Sequence, residues 1–326
     1  MIKAAFFNND TDQHHDHVID NVYRNGRKEK IAQITDLYPE IITTENFDQQ
    51  VENLQDIEVV FSTWGMLPLT AEQIKRLPSL KIVFFAAGAT NTWRDPFLEN
   101  GVRICSANVA NAMPVAEFTM AQILLSCKWY FQNTMRFINK EFYENAKNIA
   151  VGPGVYDRTI SIIGNGNISN YLQDLLKNFK LNVIVVPSRI EKRTVSLEDA
   201  FKKSQVVVNL LPDRDDNVGV LHGKLFESMP DKATFINVGR GRQVNEQDLI
   251  TVLKRRDDLT ALLDVQFPEP PENDSELYRM NNIQLSTHMA GSINDELTRM
   301  ADFMIEDFLR YEKGDYLHYE VDVSKL

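Results

Sequence analysis

The segment Thr159-Ile160-Ser161-Ile162-Ile163-Gly164-Asn165-Gly166-Asn167-Ile168-Ser169 constrains the fold more than any other stretch of the chain. Its apolar run, Ile160 to Ile163, suits a buried parallel strand. The run breaks at Gly164 and Gly166. Ile168, Tyr171, Leu172, Leu175, Leu176 and Phe179 then recur at the three- and four-residue steps of an amphipathic helix. A second apolar run, Val183 to Val186, follows. Strand, glycine turn, helix and strand form the βαβ unit that holds a dinucleotide. Its glycines let the backbone turn tightly and approach a pyrophosphate, and the helix N-terminus offers N–H groups and the positive end of a dipole. Two glycines alone could merely turn a loop; the flanking strand and helix favour a cofactor site. The third glycine position holds Ser169, small enough for helix to pack on strand but not ideal.

The same alternation runs through the rest of the chain. Ile2 to Phe7 reads as a first strand. Val59 to Ser62 runs into Trp64, Gly65 and Met66, and Ile82 to Phe85 into Ala86, Ala87, Gly88 and Ala89. Helical patterns lie between, Thr70 to Leu77 being the clearest. Backbone N–H groups in these small-residue loops could hold a carboxylate beyond the strand ends, or the loops could simply be tight turns. Ala112 to Trp129, with Pro114 near its start, predicts a long buried helix that could also serve a subunit interface. After the βαβ unit, strands are expected at Val206–Pro212, Ala233–Val238, Leu259–Val265 and Asn282–Thr287. Asp295 to Tyr311 is helical in period and is expected to pack on the first domain. The economical architecture is α/β in two domains, with a doubly wound parallel sheet over 108–292.

At 326 residues the chain can bury two cores. Its net charge of −11 argues against nucleic acid or an anionic membrane as the main partner, so an anionic substrate needs a local positive site. Two cysteines, Cys105 and Cys127, in apolar settings speak against a disulfide framework and for a reducing cytoplasm. The N-terminus turns acidic too soon for a signal peptide, and no stretch nears the ~18 apolar residues that cross a bilayer. His14, His15 and His17 could suggest a metal, but no fourth ligand stands at a sensible spacing. A solvated loop or helix start is expected there, and no metal.

Three ionisable residues follow the later strands: Arg240 after the fourth of the second domain, Glu269 after the fifth, His288 after the sixth. In a parallel sheet such ends share one edge, the edge the Gly164 turn faces. Singly, each has a bland explanation. An arginine between glycines can be a turn residue, an acid in Phe267-Pro268-Glu269-Pro270-Pro271 can be merely exposed, and a lone histidine is often structural. Together they place a cation, an acid and an imidazole beside the reactive end of a cofactor.

Four runs carry a family resemblance: Phe235-Ile236-Asn237-Val238-Gly239-Arg240-Gly241; Ala261-Leu262-Leu263-Asp264-Val265 with Glu269-Pro270; Ser286-Thr287-His288-Met289-Ala290-Gly291; and Asn111-Ala112-Met113-Pro114-Val115-Ala116-Glu117. From about residue 80 to 295 and in the same order, the chain resembles the D-isomer-specific 2-hydroxyacid dehydrogenases. The resemblance implies a Rossmann-type dinucleotide domain (108–292) and a smaller flavodoxin-like substrate domain (1–107 and 293–326), with substrate between them. Arg240 would bind the substrate carboxylate and polarise its 2-carbonyl, His288 would be the general acid or base, and Glu269 would orient the imidazole and favour its protonated form. Gly164, Asn165, Gly166, Asn167, Ile168, Leu211, Pro212, Asn217, Val238 and Gly239 would contact the cofactor, with Asp264 facing the nicotinamide amide. Trp64, Gly65, Ala87 and Gly88 would lie on the substrate side, and Trp64, Met66, Trp93 and Met289 could line the pocket. The implied substrate is a small 2-oxo or D-2-hydroxy acid of the glyoxylate and hydroxypyruvate class, and the implied assembly a homodimer paired through the dinucleotide domain. Phosphoglycerate fits less well, for want of a second basic cluster. Asn217 stands where Thr is usual, and Met113-Pro114 where a small residue and Ser are usual. The rival class is a non-catalytic dinucleotide sensor or co-regulator on the same fold.

Cofactor choice turns on the tip of the strand Val183–Val186. An acid there would bond the ribose hydroxyls of NAD and repel a 2′-phosphate. Here the tip reads Pro187-Ser188-Arg189, with no acid before Glu191. Ser188 and Arg189 could hold the phosphate, so NADP(H) is expected to be preferred, with NAD(H) still usable.

Overall fold

Two separate parallel sheets organise the chain. The computed structural model describes residues 1–9, 18–137, 139–146 and 151–322, so His14, His15 and His17 lie outside the described residues. The chain divides into one unit made of Met1–Ala112 with Ser292–Leu326 and a second made of Met113–Gly291.

The first unit holds β1 (Lys3–Phe6), β2 (Asp36–Leu37), β3 (Val59–Ser62), β4 (Ile82–Phe85) and β5 (Arg103–Ser106). They line up as β2-β1-β3-β4-β5 with every ladder parallel, the flavodoxin-like order. β3 and β4 are buried throughout, which explains their unbroken apolar runs. On one sheet face Phe6, Phe61 and Phe84 pack with Met300, Met304 and Phe308. Those last three belong to the helix Leu297–Lys313, which joins this unit's core as its periodicity predicts. On the other face Phe7, Val60, Val83 and Phe85 pack with Leu67, Ile74 and Phe97. The helix Ala71–Lys75 starts at a reciprocal cap, Thr70 accepting from the Gln73 N–H while the Gln73 side chain accepts from the Thr70 N–H.

The second unit holds β6 (Arg158–Ile163), β7 (Leu181–Val186), β8 (Val206–Asn209), β9 (Thr234–Asn237), β10 (Thr260–Leu263) and β11 (Ile283–Leu285). Their order is β11-β10-β9-β8-β6-β7, again all parallel. The winding reverses between β6 and β8, the crevice where ligands of such sheets bind. The helix Asn167–Leu176 lays Leu172 and Leu176 on the core beneath β6, and Ser169 is fully buried, so a small residue is what that contact requires.

One helix departs from expectation. It runs Asn108–Cys127, starting four residues before Ala112, so Pro114 is interior rather than in the first turn. Proline there removes only the bond to Ala110, and burial of Ala112, Val115, Ala116 and Ile123 outweighs that loss. Nor is the helix buried all round: Glu117, Ala121 and Leu125, at four-residue steps, are exposed.

Candidate active site

β6 ends at Ile163, and the backbone turns at Gly164 with φ +122°. A Cβ there would meet the Leu210 carbonyl oxygen at 2.3 Å, so the loop after β6 lies directly on the loop after β8. Asn165, Gly166 and Asn167 are exposed, and a Cβ on Gly166 would meet no protein atom within 4 Å. The helix Asn167–Leu176 leaves Gly166 with no side-chain cap. Gly166 thus sets no capping side chain over the helix end, and the positive end of the dipole together with the close backbone of the turn fits a pyrophosphate. Ile168 is partly exposed in that first turn.

Beyond β7 lies a cavity of about 260 Å³, lined among others by Ser188, Arg189, Arg193, Arg214, Asp216 and Asn217. Arg193 donates to the carbonyls of Pro187 (2.9 Å) and Ser188 (3.0 Å), which fixes the loop. Arg214 grips Asp216 through two bonds of 2.8 and 2.6 Å. Arg189 is exposed. Glu191, the first acid after the strand, also lines this cavity. Asn217 is buried and donates to the Pro212 carbonyl, closing its own loop. Leu211 and Val238 are buried at the ends of β8 and β9.

Of the three candidate catalytic residues, the fold joins two directly. His288 Nδ1 lies 2.8 Å from Glu269 Oε1, with the side chains 50% and 37% exposed. His288 adopts φ +55°, a left-handed conformation that costs any residue with a Cβ. Asp264 accounts for it. Its buried carboxylate accepts from Ser286 Oγ (2.6 Å), Met289 N–H (2.9 Å) and Ala290 N–H (3.0 Å), and its carbonyl accepts from the His288 N–H (3.0 Å). In the structure this carboxylate serves the histidine loop, a role the expected contact with a nicotinamide amide does not include. Arg240 donates to the Gly239 carbonyl at 2.8 Å, and its Nε lies 3.6 Å from Asp213, which also holds Arg242 at 2.7 Å. Asp213 has no distinctive sequence signal, because Asp213-Arg214-Asp215-Asp216 reads as a solvated charge run. The Arg240 turn also packs on the backbone leading to Glu269: a Cβ on Gly241 would overlap the Gln266 carbonyl at 1.9 Å. Behind that loop, burial pushes the Glu246 carboxyl above the usual glutamate range, against a hydrogen bond from the Phe267 backbone.

The first unit's loops follow β3 and β4. Asn9 N–H donates to the Gly65 carbonyl at 2.7 Å, and Asn8 donates to the Trp64 carbonyl. Trp64, Gly65 and Gly88 are partly exposed. Ala87 is fully buried, and its N–H is bonded to the Phe85 carbonyl. Met66 and Trp93 lie inside as well. Both are buried in this unit's core, Trp93 against Phe85 and Phe97 at ring distances of 5.0 and 5.4 Å. Met289, in the second unit, is 43% exposed. Among the described residues no group of three or more His, Cys, Asp or Glu could hold a metal ion, and no helix is long and apolar enough to cross a membrane.

Residues 120–290, just over half of the chain, match the NAD binding domain of the D-isomer specific 2-hydroxyacid dehydrogenases. This chain belongs to that family. It is a nicotinamide-dependent 2-hydroxyacid dehydrogenase, and the β6–β7 unit with its Gly164 turn lies inside the matched segment. A glyoxylate reductase of Korarchaeum cryptofilum is 24% identical over 276 residues, 81% of this chain and 82% of that one. Among solved structures, the D-mandelate dehydrogenase of Rhodotorula graminis superposes with a TM-score of 0.78 at 19% identity, covering 98% of this chain and 97% of its own. A probable 2-hydroxyacid dehydrogenase from Rhizobium etli, in complex with NADP, HEPES and L(+)-tartaric acid, gives 0.71 at 19% identity, covering 100% and 99%. At such identities the superpositions show the shared two-domain fold.

Proposed function

We propose that this dehydrogenase reduces a small 2-oxo acid of the glyoxylate and hydroxypyruvate class to the D-2-hydroxy acid, with NADPH preferred over NADH. The observation that carries the reading is the Glu269–His288 pair on the sheet edge shared with the Gly164 turn. Glu269 occupies Nδ1, which leaves Nε2 as the ring's proton-transferring atom. A bound nicotinamide would supply the hydride. His288 Nε2 gives a proton to the 2-carbonyl oxygen as negative charge develops there; in the reverse direction the imidazole receives it. Arg240 pairs with the substrate carboxylate and draws charge from the carbonyl. Trp64, Gly65 and Gly88 form the substrate-side loops of the first unit.

Cofactor preference rests on Ser188 and Arg189, with Arg193 and Arg214 in the same cavity lining; Glu191 and Asp216 oppose it, and the three arginines outnumber these two acids. The NADP bound by the Rhizobium etli protein and the name of the Korarchaeum relative agree with the cofactor and substrate class. Two buried free cysteines suit a cytoplasmic protein.

The test is to follow cofactor absorbance with NADPH or NADH and a panel of glyoxylate, hydroxypyruvate, pyruvate and bulkier 2-oxo acids. We expect turnover of glyoxylate or hydroxypyruvate, a higher kcat/KM with NADPH, and a loss of 10²–10⁴-fold in kcat for His288→Asn, roughly what general acid catalysis contributes. A marked NADH preference would overturn the cofactor assignment. Cofactor binding without turnover of any acid on the panel would overturn the assigned substrate class.

A further inference from the structure

We infer that Gln243 is a positioning residue for Arg240, acting through a buried cage of three amides that closes the ends of β8 and β9. The inference rests on the reading of Arg240 as the group that binds the substrate carboxylate. Asn209, Asn237 and Gln243 are 0%, 1% and 1% exposed. Asn209 Nδ2 donates to Asn237 Oδ1 and to Gln243 Oε1, both at 2.8 Å. Gln243 Oε1 also accepts from the Arg240 N–H at 3.0 Å, and Gln243 Nε2 donates to the carbonyls of Leu211 (3.0 Å) and Pro212 (2.8 Å). That amounts to two donors on the oxygen and two acceptors facing the nitrogen, so the orientation of the amide is fixed by its neighbours. The Arg240 carbonyl is held as well, by the Gln243 N–H at 3.3 Å and Asn237 Nδ2 at 3.4 Å.

Both peptide groups of Arg240 are thus tied to one buried network, which also holds the Leu211–Pro212 loop. The cage explains why Gly239 precedes Arg240: a Cβ there would lie 2.7 Å from Gln243 Oε1 and 2.8 Å from Asn209 Nδ2. An arginine side chain is long and flexible, and what the fold can fix is its root. A buried amide with every bond made is stiff, and one with a bond missing is costly, so the network admits one loop geometry. Gln243 sets the direction in which the guanidinium leaves the strand end, and so its aim at a carboxylate.

The experiment compares a 2-oxo acid with its 2-oxo amide at saturating cofactor. If Arg240 grips the carboxylate, wild type prefers the acid, and Arg240→Ala abolishes the preference. Gln243→Met keeps the volume and removes every side-chain bond. We expect it to lower kcat/KM for the acid on the order of 100-fold, as about 1 Å of misplacement can, with a much smaller loss for the amide. Gln243→Asn, one methylene shorter, is expected to reduce the preference about 10-fold if the Met variant does not melt cooperatively. A merely structural role would depress acid and amide alike. Equal losses, or a retained preference in either Gln243 variant while Arg240→Ala abolishes it, overturn the inference alone. A preference retained by Arg240→Ala overturns the reading of Arg240 and this inference with it.

Discussion

Asp264 does the most structural work of any single side chain near the histidine. A carboxylate suits its place because three donors converge on it from one short loop. Asp264→Asn would turn an NH₂ group towards a backbone N–H, leaving a buried donor without an acceptor. The expected result is a loss of about 1–3 kcal/mol in unfolding free energy. We also expect kcat/KM to fall on the order of 10–100-fold as His288 drifts from its left-handed conformation. Urea melts and steady-state kinetics check both; an Asn variant with wild-type kinetics would show that the loop holds itself. The sequence displays Asp264 and His288 as strand-end residues, and that much is legible because each follows an apolar run. It does not display φ at His288, nor that Glu269 reaches the ring. These depend on how two loops fold back, and loop direction has no periodicity to read.

Legibility among the elements follows burial. β3 and β4 coincide with the apolar runs Val59–Ser62 and Ile82–Phe85 because helices cover both faces of the sheet there. β2 is two residues long, and β5 contains only Ile104 and Cys105 as apolar residues, so neither gives a run to detect. The Asn108–Cys127 helix starts earlier than Pro114 suggests, because proline marks a first turn only on average. One loop–strand junction makes a pH prediction. Arg256 closes the helix Glu246–Arg255 and donates to Asp258 at 2.8 and 2.9 Å, while Asp258 also accepts from the Lys232 N–H at 2.9 Å. The hydrogen bonds from Arg256 hold the Asp258 carboxyl below the usual aspartate range. A lowered folded-state value means that this stabilisation is present above the unfolded value, about 3.9, and disappears as pH falls through the folded one. Asp258→Asn should therefore lower unfolding free energy by about 1 kcal/mol at neutral pH, a figure discounted for partial exposure. The gap from wild type should narrow progressively in melts as pH falls below about 3.9. A gap that stays constant with pH would mean that the residue acts through shape and not charge.

For the whole molecule the open question is what covers its aromatic surface. The helices Tyr130–Arg136 and Lys140–Ala146 carry Tyr130 and Tyr143 at 47% and 55% exposure, and Phe137, just past the first helix, is 54% exposed. The rings of Phe137 and Tyr143 lie 5.8 Å apart, so the exposure is a patch and not a scatter. Leu125 lies on the exposed stripe of the preceding helix. A chain of net charge −11 repels its own copies, so association needs a local apolar surface strong enough to overcome that repulsion, and this one belongs to the dinucleotide-binding unit. We propose that a second copy covers it. A two-fold axis would place the patch against itself, each aromatic meeting its counterpart's surroundings, as homodimers do. Light scattering should then give twice the chain mass of 37.5 kDa at micromolar concentration. Phe137→Glu with Tyr143→Glu should shift the protein to monomer, since burying two unpaired carboxylates on each side removes anchors of about 2 kcal/mol apiece and adds repulsion. The cavity beyond β7 is lined by none of these residues, so the monomer should still bind NADPH. A wild type that stays monomeric, or a double variant that stays dimeric, would leave the aromatic patch without a partner copy and send the search to another ligand.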